Sequence, residues 1–348
     1  MLRAARARRI AAATAFGGGG LTLVGAGTLA LLYLQALLAR RAVGVTEWER
    51  PVVDGLHGQG SGPPIRMLMM GDSTAAGFAV ETAARTPSVM LATGLSNAAD
   101  RPVRLRCTAF PGATSATLAG QAERSGALSG GTRYDVAVVF IGANDVIRRV
   151  RPSDAVADLR DVVRRLTDQG TAVVVATCPD LGTVRPIGWP LRSVARRASR
   201  QLAAAQTIAV TEAGGRTVSL SDLLADEFRS DPSLMFGPDR FHPSARGYAQ
   251  AASAVLPSVC AALGLLPEPD ALPAAGILPV DRAAVVAAEN PGTEVSAAGD
   301  PAQGRRGRWS ALVRRPLAGL RGPAAGREPV SADAGATAED PRPESGDR

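Results

Sequence analysis

The sequence predicts an α/β domain built on a parallel β-sheet, and three observations carry that prediction. Five short apolar runs recur through the middle of the chain, stretches of helical periodicity separate them, and small or polar residues follow the runs. Near-continuous apolar strands joined by helices indicate a sheet covered on both faces. Ligands of such sheets bind beyond the carboxyl ends of the strands, so the loops after the apolar runs are where function is sought.

Residues 65–70 (IRMLMM) end at Gly71-Asp72-Ser73, and a helix-compatible stretch follows from Ala75, giving strand, tight turn and helix in succession. Four more strands are predicted at residues 103–107, 136–141 (VAVVFI), 172–177 (AVVVAT) and 217–220. Between them, residues 153–169 predict a helix with Ser153 as N-cap and Val156, Leu159, Val163 and Leu166 on one face. Arg104 and Arg106 alternate with apolar neighbours, which marks their strand as an exposed edge.

The 348 residues are 46% hydrophobic and 20% charged, a composition that suits a packed core and excludes a wholly disordered or collagen-like chain. The net charge of +7 is spread along the chain, and only 13 residues are Phe, Trp or Tyr, so no nucleic-acid partner is expected. Cys107, Cys178 and Cys260 form no Cys-x-x-Cys pair and the two histidines no His-x-x-x-His. Neither a disulfide framework nor a metal is expected, and no cofactor.

The two ends read differently from the middle. Arg3, Arg6, Arg8 and Arg9 precede an uncharged run from Ile10 to Ala39 that is closed by Arg40 and Arg41. A membrane span needs about 20 apolar residues. Gly17 to Gly20 weaken helix at the start of the run, so residues 21–39 are read as an uncleaved transmembrane helix. The alternative is a cleavable signal peptide and a secreted protein. The arginine bias places the N-terminus inside and the rest on the extracytoplasmic side of a single-pass cell-membrane protein. The expected organisation is an anchor at 1–41, a tether at 42–61, the folded domain at 62–266 and a disordered Pro/Ala/Gly/Arg-rich tail at 267–348. Within the tail, the arginines around Trp309 read as a solvated basic patch.

Acyl transfer needs a nucleophilic oxygen, a base, a group that orients the base and donors for an oxyanion. Ser73 offers a hydroxyl and its own N–H at a helix start. Gly112 lets the backbone approach closely and present an N–H, and Asn144 brings a neutral side-chain donor. His242 can take the Ser73 proton, and Asp239, three residues earlier, can hold the other ring nitrogen. Each has an ordinary reading when taken alone, as a helix cap or a turn residue; their joint occurrence is what points to chemistry. Asp72 and Asp145 are read as structural, His57 as lying outside the site, and Trp189 as either lining the approach or packing in its loop.

Gly71-Asp72-Ser73-Thr74, Gly112, Gly142-Ala143-Asn144-Asp145 and Asp239-Arg240-Phe241-His242-Pro243 occur in this order over about 200 residues. In this the middle of the chain resembles the SGNH hydrolases, also called the GDSL esterase/lipase family. Thr74 stands where the family motif has Leu, at a packing position. The resemblance implies a flavodoxin-like three-layer sandwich with a five-stranded parallel sheet. It also implies catalysis by Ser73, Asp239 and His242 and an oxyanion hole of Ser73, Gly112 and Asn144. The expected activity is a serine esterase or lipase that hydrolyses carboxylic (O-acyl) esters through an acyl-enzyme. Its expected substrates are small-molecule esters, lipids or acylated glycans of the cell envelope. The alternatives are an O-acyltransferase of the same type and, more remotely, a non-catalytic binding module. The loops at 76–86, 113–131 and 180–191 are expected to shape the pocket.

Overall fold

In the computed structural model, the structure describes residues 27–38, 41, 48–184, 186–220, 232–266, 277–290, 292–298 and 309–314. Its centre is the expected parallel sheet. Strands β2 (Ile65–Gly71), β3 (Val103–Cys107), β4 (Val136–Phe140), β5 (Ala172–Ala176) and β6 (Arg216–Val218) lie in the order β3-β2-β4-β5-β6, and every neighbouring pair is parallel. Alternation along β2 shows why the runs are apolar throughout. Met67 and Met69 enter the core on one face, Leu68 and Met70 the core on the other.

The first core is closed by two helices, Pro87–Ala99 and Ala245–Ala262, which contribute Leu91, Leu95, Val255 and Val259. The second is closed by Leu118–Arg124, Pro152–Asp168 and Leu191–Glu212 through Leu118, Leu159, Val163 and Val210. From residue 73 onward the described α-helices are, in chain order, α1 (Ser73–Ala76), α2 (Pro87–Ala99), α3 (Leu118–Arg124), α4 (Ala143–Ile147), α5 (Pro152–Asp168), α6 (Leu191–Glu212), α7 (Pro232–Met235) and α8 (Ala245–Ala262), followed by α9 (Val280–Glu289). Ser153 is not the N-cap of α5. Arg151 is, and Pro152 takes the first helical position, where its fixed φ fits and its missing N–H is no loss.

Three expectations are corrected. Among the described residues the sheet is not five parallel strands alone but nine mixed ones, in the order β1 (Gly55–His57), β3, β2, β4, β5, β6, β8 (Thr293–Ala298), β9 (Trp309–Arg314) and β7 (Ile277–Pro279). The stretch expected to be a tether supplies β1 (Gly55–His57), antiparallel to β3. It is held by Asp54, which accepts from the Cys107 N–H at 2.7 Å and pairs with Arg106, and by Trp48, whose Nε1–H donates to the Val80 carbonyl. The stretch expected to be a disordered tail supplies β7 (Ile277–Pro279), α9, β8 (Thr293–Ala298) and β9 (Trp309–Arg314), all of whose pairings are antiparallel. A buried carboxylate explains the docking of β8. Glu294 accepts from Arg216 of β6 at 2.7 Å and from Ser258 of α8 at 2.8 Å, so it locks the added strand to both sheet and helix. The remainder of the expected tail lies outside the described residues.

Of the expected membrane span, residues 27–38 are described and are helical; the rest of it, 21–26 and 39, lies outside the described residues. Among the described residues no helix is long and apolar enough to cross a membrane, so the expected transmembrane helix is not supported. Gln35 of this segment accepts from the Leu191 N–H at 3.1 Å and donates to the Trp189 carbonyl.

Candidate active site

The site lies at the carboxyl edge of the parallel strands, and each of its residues arrives there for a local reason. Ser73 opens α1 directly after β2. Asp72 caps that helix by accepting from the Thr74 N–H at 2.8 Å, so the Ser73 N–H is left pointing out of the first turn. Gly71 must be glycine. Its φ is +132°, and a Cβ there would stand 2.0 Å from the Phe140 carbonyl oxygen of β4. Gly112, with φ +81°, turns the loop after β3 back toward Ser73, and a side chain there would meet the guanidinium of Arg148 at 3.0 Å.

Asn144 stands in the first turn of α4, after β4, and its side-chain amide has no hydrogen-bond partner among the described residues. Next to it, buried Asp145 accepts from both the N–H and the hydroxyl of Ser115, at 3.1 Å each. That carboxylate ties the turn carrying Asn144 to the loop carrying Gly112. Burial pushes its pKa up, against the lowering effect of the Ser115 hydrogen bonds.

His242 comes from the far end of the domain, on a loop between α7 and α8. The loop is closed by the bridge between Phe236 and Pro243, by the Gly237 N–H donating to the His242 carbonyl, and by Ser244, which caps α8. The imidazole lies against Phe78, with centroids 4.3 Å apart, and meets Phe241 edge-on at 4.9 Å. Phe78 is itself fixed by Trp48 and by the buried Tyr248 hydroxyl, which donates to its carbonyl.

The geometry that results is a relay. Nε2 of His242 is 2.9 Å from the Ser73 hydroxyl, and Nδ1 is 2.5 Å from Oδ2 of Asp239. The other oxygen, Oδ1, accepts from the N–H groups of Phe241 and His242 at 3.0 Å. Burial of Asp239 would raise its pKa, but those hydrogen bonds and the charge of His242 outweigh it and hold the carboxyl below its ordinary value. Asp239 is therefore ionised and fixes the tautomer with a proton on Nδ1, leaving Nε2 to accept from Ser73. Asp72 is only 2% exposed, and burial raises its pKa to about 6, against the hydrogen bond from Thr74 and the charge of His242.

Ser73, Gly112, Asn144 and His242 all line one cavity of about 290 Å³, whose walls are otherwise largely apolar. Of the loops expected to shape it, 76–86 contributes Phe78, and 180–191 contributes Asp180, Leu181, Thr183 and Val184, while 113–131 contributes nothing. Trp189 is 77% exposed and does not line the cavity. The whole sequence-predicted constellation is thus brought together.

Two residues that sequence reasoning missed hold the strand ends beneath it. Gln121 of α3 accepts from the Gly71 N–H and donates to the Gly71 carbonyl, at 2.7 and 2.9 Å. Gln206 of α6 accepts from the Cys178 N–H at 2.8 Å and donates to the Ile141 carbonyl at 3.2 Å. Both side chains are fully buried, and each supplies partners to backbone groups just where the ladder gives out. A signal exists in the sequence: each is a polar residue within the apolar stripe of its helix.

Comparison with known proteins places the chain among relatives. The family model described as GDSL-like Lipase/Acylhydrolase matches residues 69–250. A curated GDSL-like esterase of Mycobacterium tuberculosis, Rv1075c, is 40% identical over 232 residues, which is 64% of this chain and 73% of that protein. Among solved structures, an acetylxylan esterase from Geobacillus stearothermophilus is 18% identical with a TM-score of 0.43, covering 59% of this chain and 95% of that one. An alpha/beta hydrolase enzyme from the metagenome of Lake Arreo, Spain, is 19% identical with a TM-score of 0.43, covering 59% and 97%. With a family model spanning more than half its length and a curated relative at this identity, the chain belongs to the GDSL-like lipase/acylhydrolase family and is an ester-bond hydrolase.

Proposed function

We propose that this protein is a serine esterase working through an acyl-enzyme on Ser73. The observation that supports it is the continuous relay from the Ser73 hydroxyl through His242 to the ionised Asp239, opening into an apolar cavity. Nε2 of His242 accepts the hydroxyl proton as Ser73 Oγ attacks the ester carbonyl, and Asp239 stabilises the imidazolium that forms. The oxyanion is received by the N–H groups of Ser73 and Gly112 and the amide of Asn144. The imidazolium then protonates the departing alcohol oxygen. Water, deprotonated by the same ring, attacks the acyl carbonyl and releases the acid.

A volume of about 290 Å³ lies at the small end of ligand pockets, which favours a short acyl group. The proposed substrates are O-acyl groups on envelope glycans or lipids, met on the extracytoplasmic side. Support for that setting is confined to the sequence, where 30 uncharged residues stand between arginine clusters. Fractionation of cells expressing the full chain tests the setting.

The reaction is tested by hydrolysis of a chain-length series of p-nitrophenyl esters by the full chain, with Ser73→Ala and His242→Ala beside it. Loss of activity in both variants, with a preference for short chains, is the expected result. Undiminished hydrolysis by folded Ser73→Ala would refute the assignment. Turnover in wild type only when a sugar or lipid hydroxyl is added would identify an acyltransferase instead.

A further inference from the structure

Far from the relay, on one face of β2 and β3, four arginines share one cleft. Arg66 of β2 and Arg104 of β3 are directly opposite each other in the parallel ladder, which puts their side chains about 5 Å apart, at the strand spacing. Arg106 follows Arg104 on the same face two residues on, about 7 Å away. Arg124, the last residue of α3, also lines the cleft, its guanidinium lying over the Phe110 ring at 5.5 Å and donating to the Thr108 carbonyl at 3.5 Å. The cleft has a volume of about 670 Å³ and a floor that includes Tyr134. Tyr134 is buried there and donates its hydroxyl to the Ser125 carbonyl at 2.9 Å.

This array does not arise from packing. The face of β2 and β3 concerned belongs to the second core, but α3 is only seven residues long and leaves the β3 side uncovered. Like charges directly opposite on neighbouring strands destabilise a sheet. One carboxylate lines the cleft, that of Asp54, and it is engaged by Arg106 and by the Cys107 N–H. Asp135, nearby, spends one oxygen on the Arg66 backbone N–H. The side chains of Arg66 and Arg104 have no partner among the described residues.

We propose that this cleft is a second, non-catalytic binding site, and that its ligand is a multiply charged phosphate group. Four guanidinium groups against one carboxylate leave a net charge of +3. A single carboxylate would neutralise little of it, whereas a phosphate brings up to two charges and three acceptor oxygens in one small group. From Arg66 to Gly71 the strand runs about 16 Å, so a charged arm seated here lies within reach of an extended substrate, at the opposite end of β2 from Ser73. The site is independent of the acyl-enzyme assignment, because no residue is shared.

The test is calorimetric titration of the full chain with inorganic tripolyphosphate, beside co-sedimentation with vesicles of phosphatidylcholine containing phosphatidic acid, whose phosphomonoester is multiply charged, or of phosphatidylcholine alone. Wild type is expected to bind tripolyphosphate saturably, and Arg66→Ala/Arg104→Ala to bind at least about tenfold more weakly while its p-nitrophenyl acetate hydrolysis is unchanged. Without ligand, the double variant is expected to melt about 1–3 °C higher, since a like-charge pair is removed. Binding of free tripolyphosphate identifies a soluble phosphate ligand. Binding of phosphatidic acid vesicles alone, lost in the double variant, identifies a lipid headgroup. Failure of wild type to bind either, or binding that the double variant retains in full, would overturn the proposal.

Discussion

Asp72 is a buried carboxylate whose charge the fold tolerates at a cost, and replacing it by Asn should stabilise the protein in a pH-dependent way. Its pKa rises from 3.8 to about 6 on folding, chiefly through burial. A raised folded pKa means that the folded state holds the proton more tightly than the unfolded chain does. Below pH 3.8 the group is protonated in both states and burial carries no penalty. As pH rises toward 6 the unfolded chain ionises first and stability falls; above about 6 the full penalty is present. Two units correspond to about 3 kcal/mol at about 1.4 kcal/mol per unit, an upper figure because burial is relieved by local fluctuation.

Asn keeps the acceptor that caps α1 at the Thr74 N–H and removes the charge, and Asn and Asp are equivalent as N-caps. Urea denaturation of Asp72→Asn and wild type between pH 4 and pH 8.5 measures the difference. With a urea dependence of about 2–3 kcal/mol per molar, the variant midpoint should lie about 1 M higher at pH 8, and the two curves should converge toward pH 4. A gap that does not change with pH, or a variant less stable at pH 8, would refute the reasoning. The same substitution should lower kcat, because the charge beside His242 favours the imidazolium that forms during attack. Stability gained and rate lost together is the pattern expected of a group retained for chemistry.

Asn144→Ala should lower kcat by about 10²–10³ with KM little changed, measured on p-nitrophenyl acetate, since in the proposed mechanism its amide meets only the developing oxyanion. Asp145→Ala should lower kcat by about 10–10² although Asp145 touches no substrate, because the Gly112 loop loses its tie to the Asn144 turn; an unchanged kcat would show that the two donors are positioned separately. Gln206→Met should cost about 2–4 kcal/mol in urea denaturation, as the Cys178 N–H and the Ile141 carbonyl lose their partner. Glu294→Ala should cost about 3–5 kcal/mol by removing the carboxylate to which Arg216 and Ser258 donate, and a chain ending at residue 266 should unfold at lower urea than one ending at 314.

The central sheet and the relay are legible in the sequence because each part is local. An apolar run followed at once by Gly-Asp-Ser or Gly-Ala-Asn-Asp names both the strand and the loop at its end. Asp239 and His242 are three residues apart, so their pairing needs no knowledge of the fold. What is illegible is held by tertiary contact. The segment Thr293–Ala298 (TEVSAA) has little intrinsic strand preference, and its composition continues into a Pro- and Gly-rich region. It becomes a strand because β6 offers an open edge and because Glu294 finds Arg216 and Ser258 there. β1 is three residues long, too short for any periodicity, and exists through Asp54.

The two buried glutamines fall between these cases. Gln206 follows Leu202 and Ala203 by one helical turn and precedes Val210 by another, so it belongs to the face that the helix buries. A full amide on such a face needs a donor and an acceptor, and the end of a parallel sheet is where unpaired backbone groups of both kinds are found. Gln121, beside Leu118 and Ala122, satisfies Gly71 by the same means. A glutamine inside an apolar helix stripe is therefore a readable sign of a clamped strand end in this fold. The clamp also explains how strands that must stop pairing in order to release Ser73 and Asn144 remain fixed where they stop.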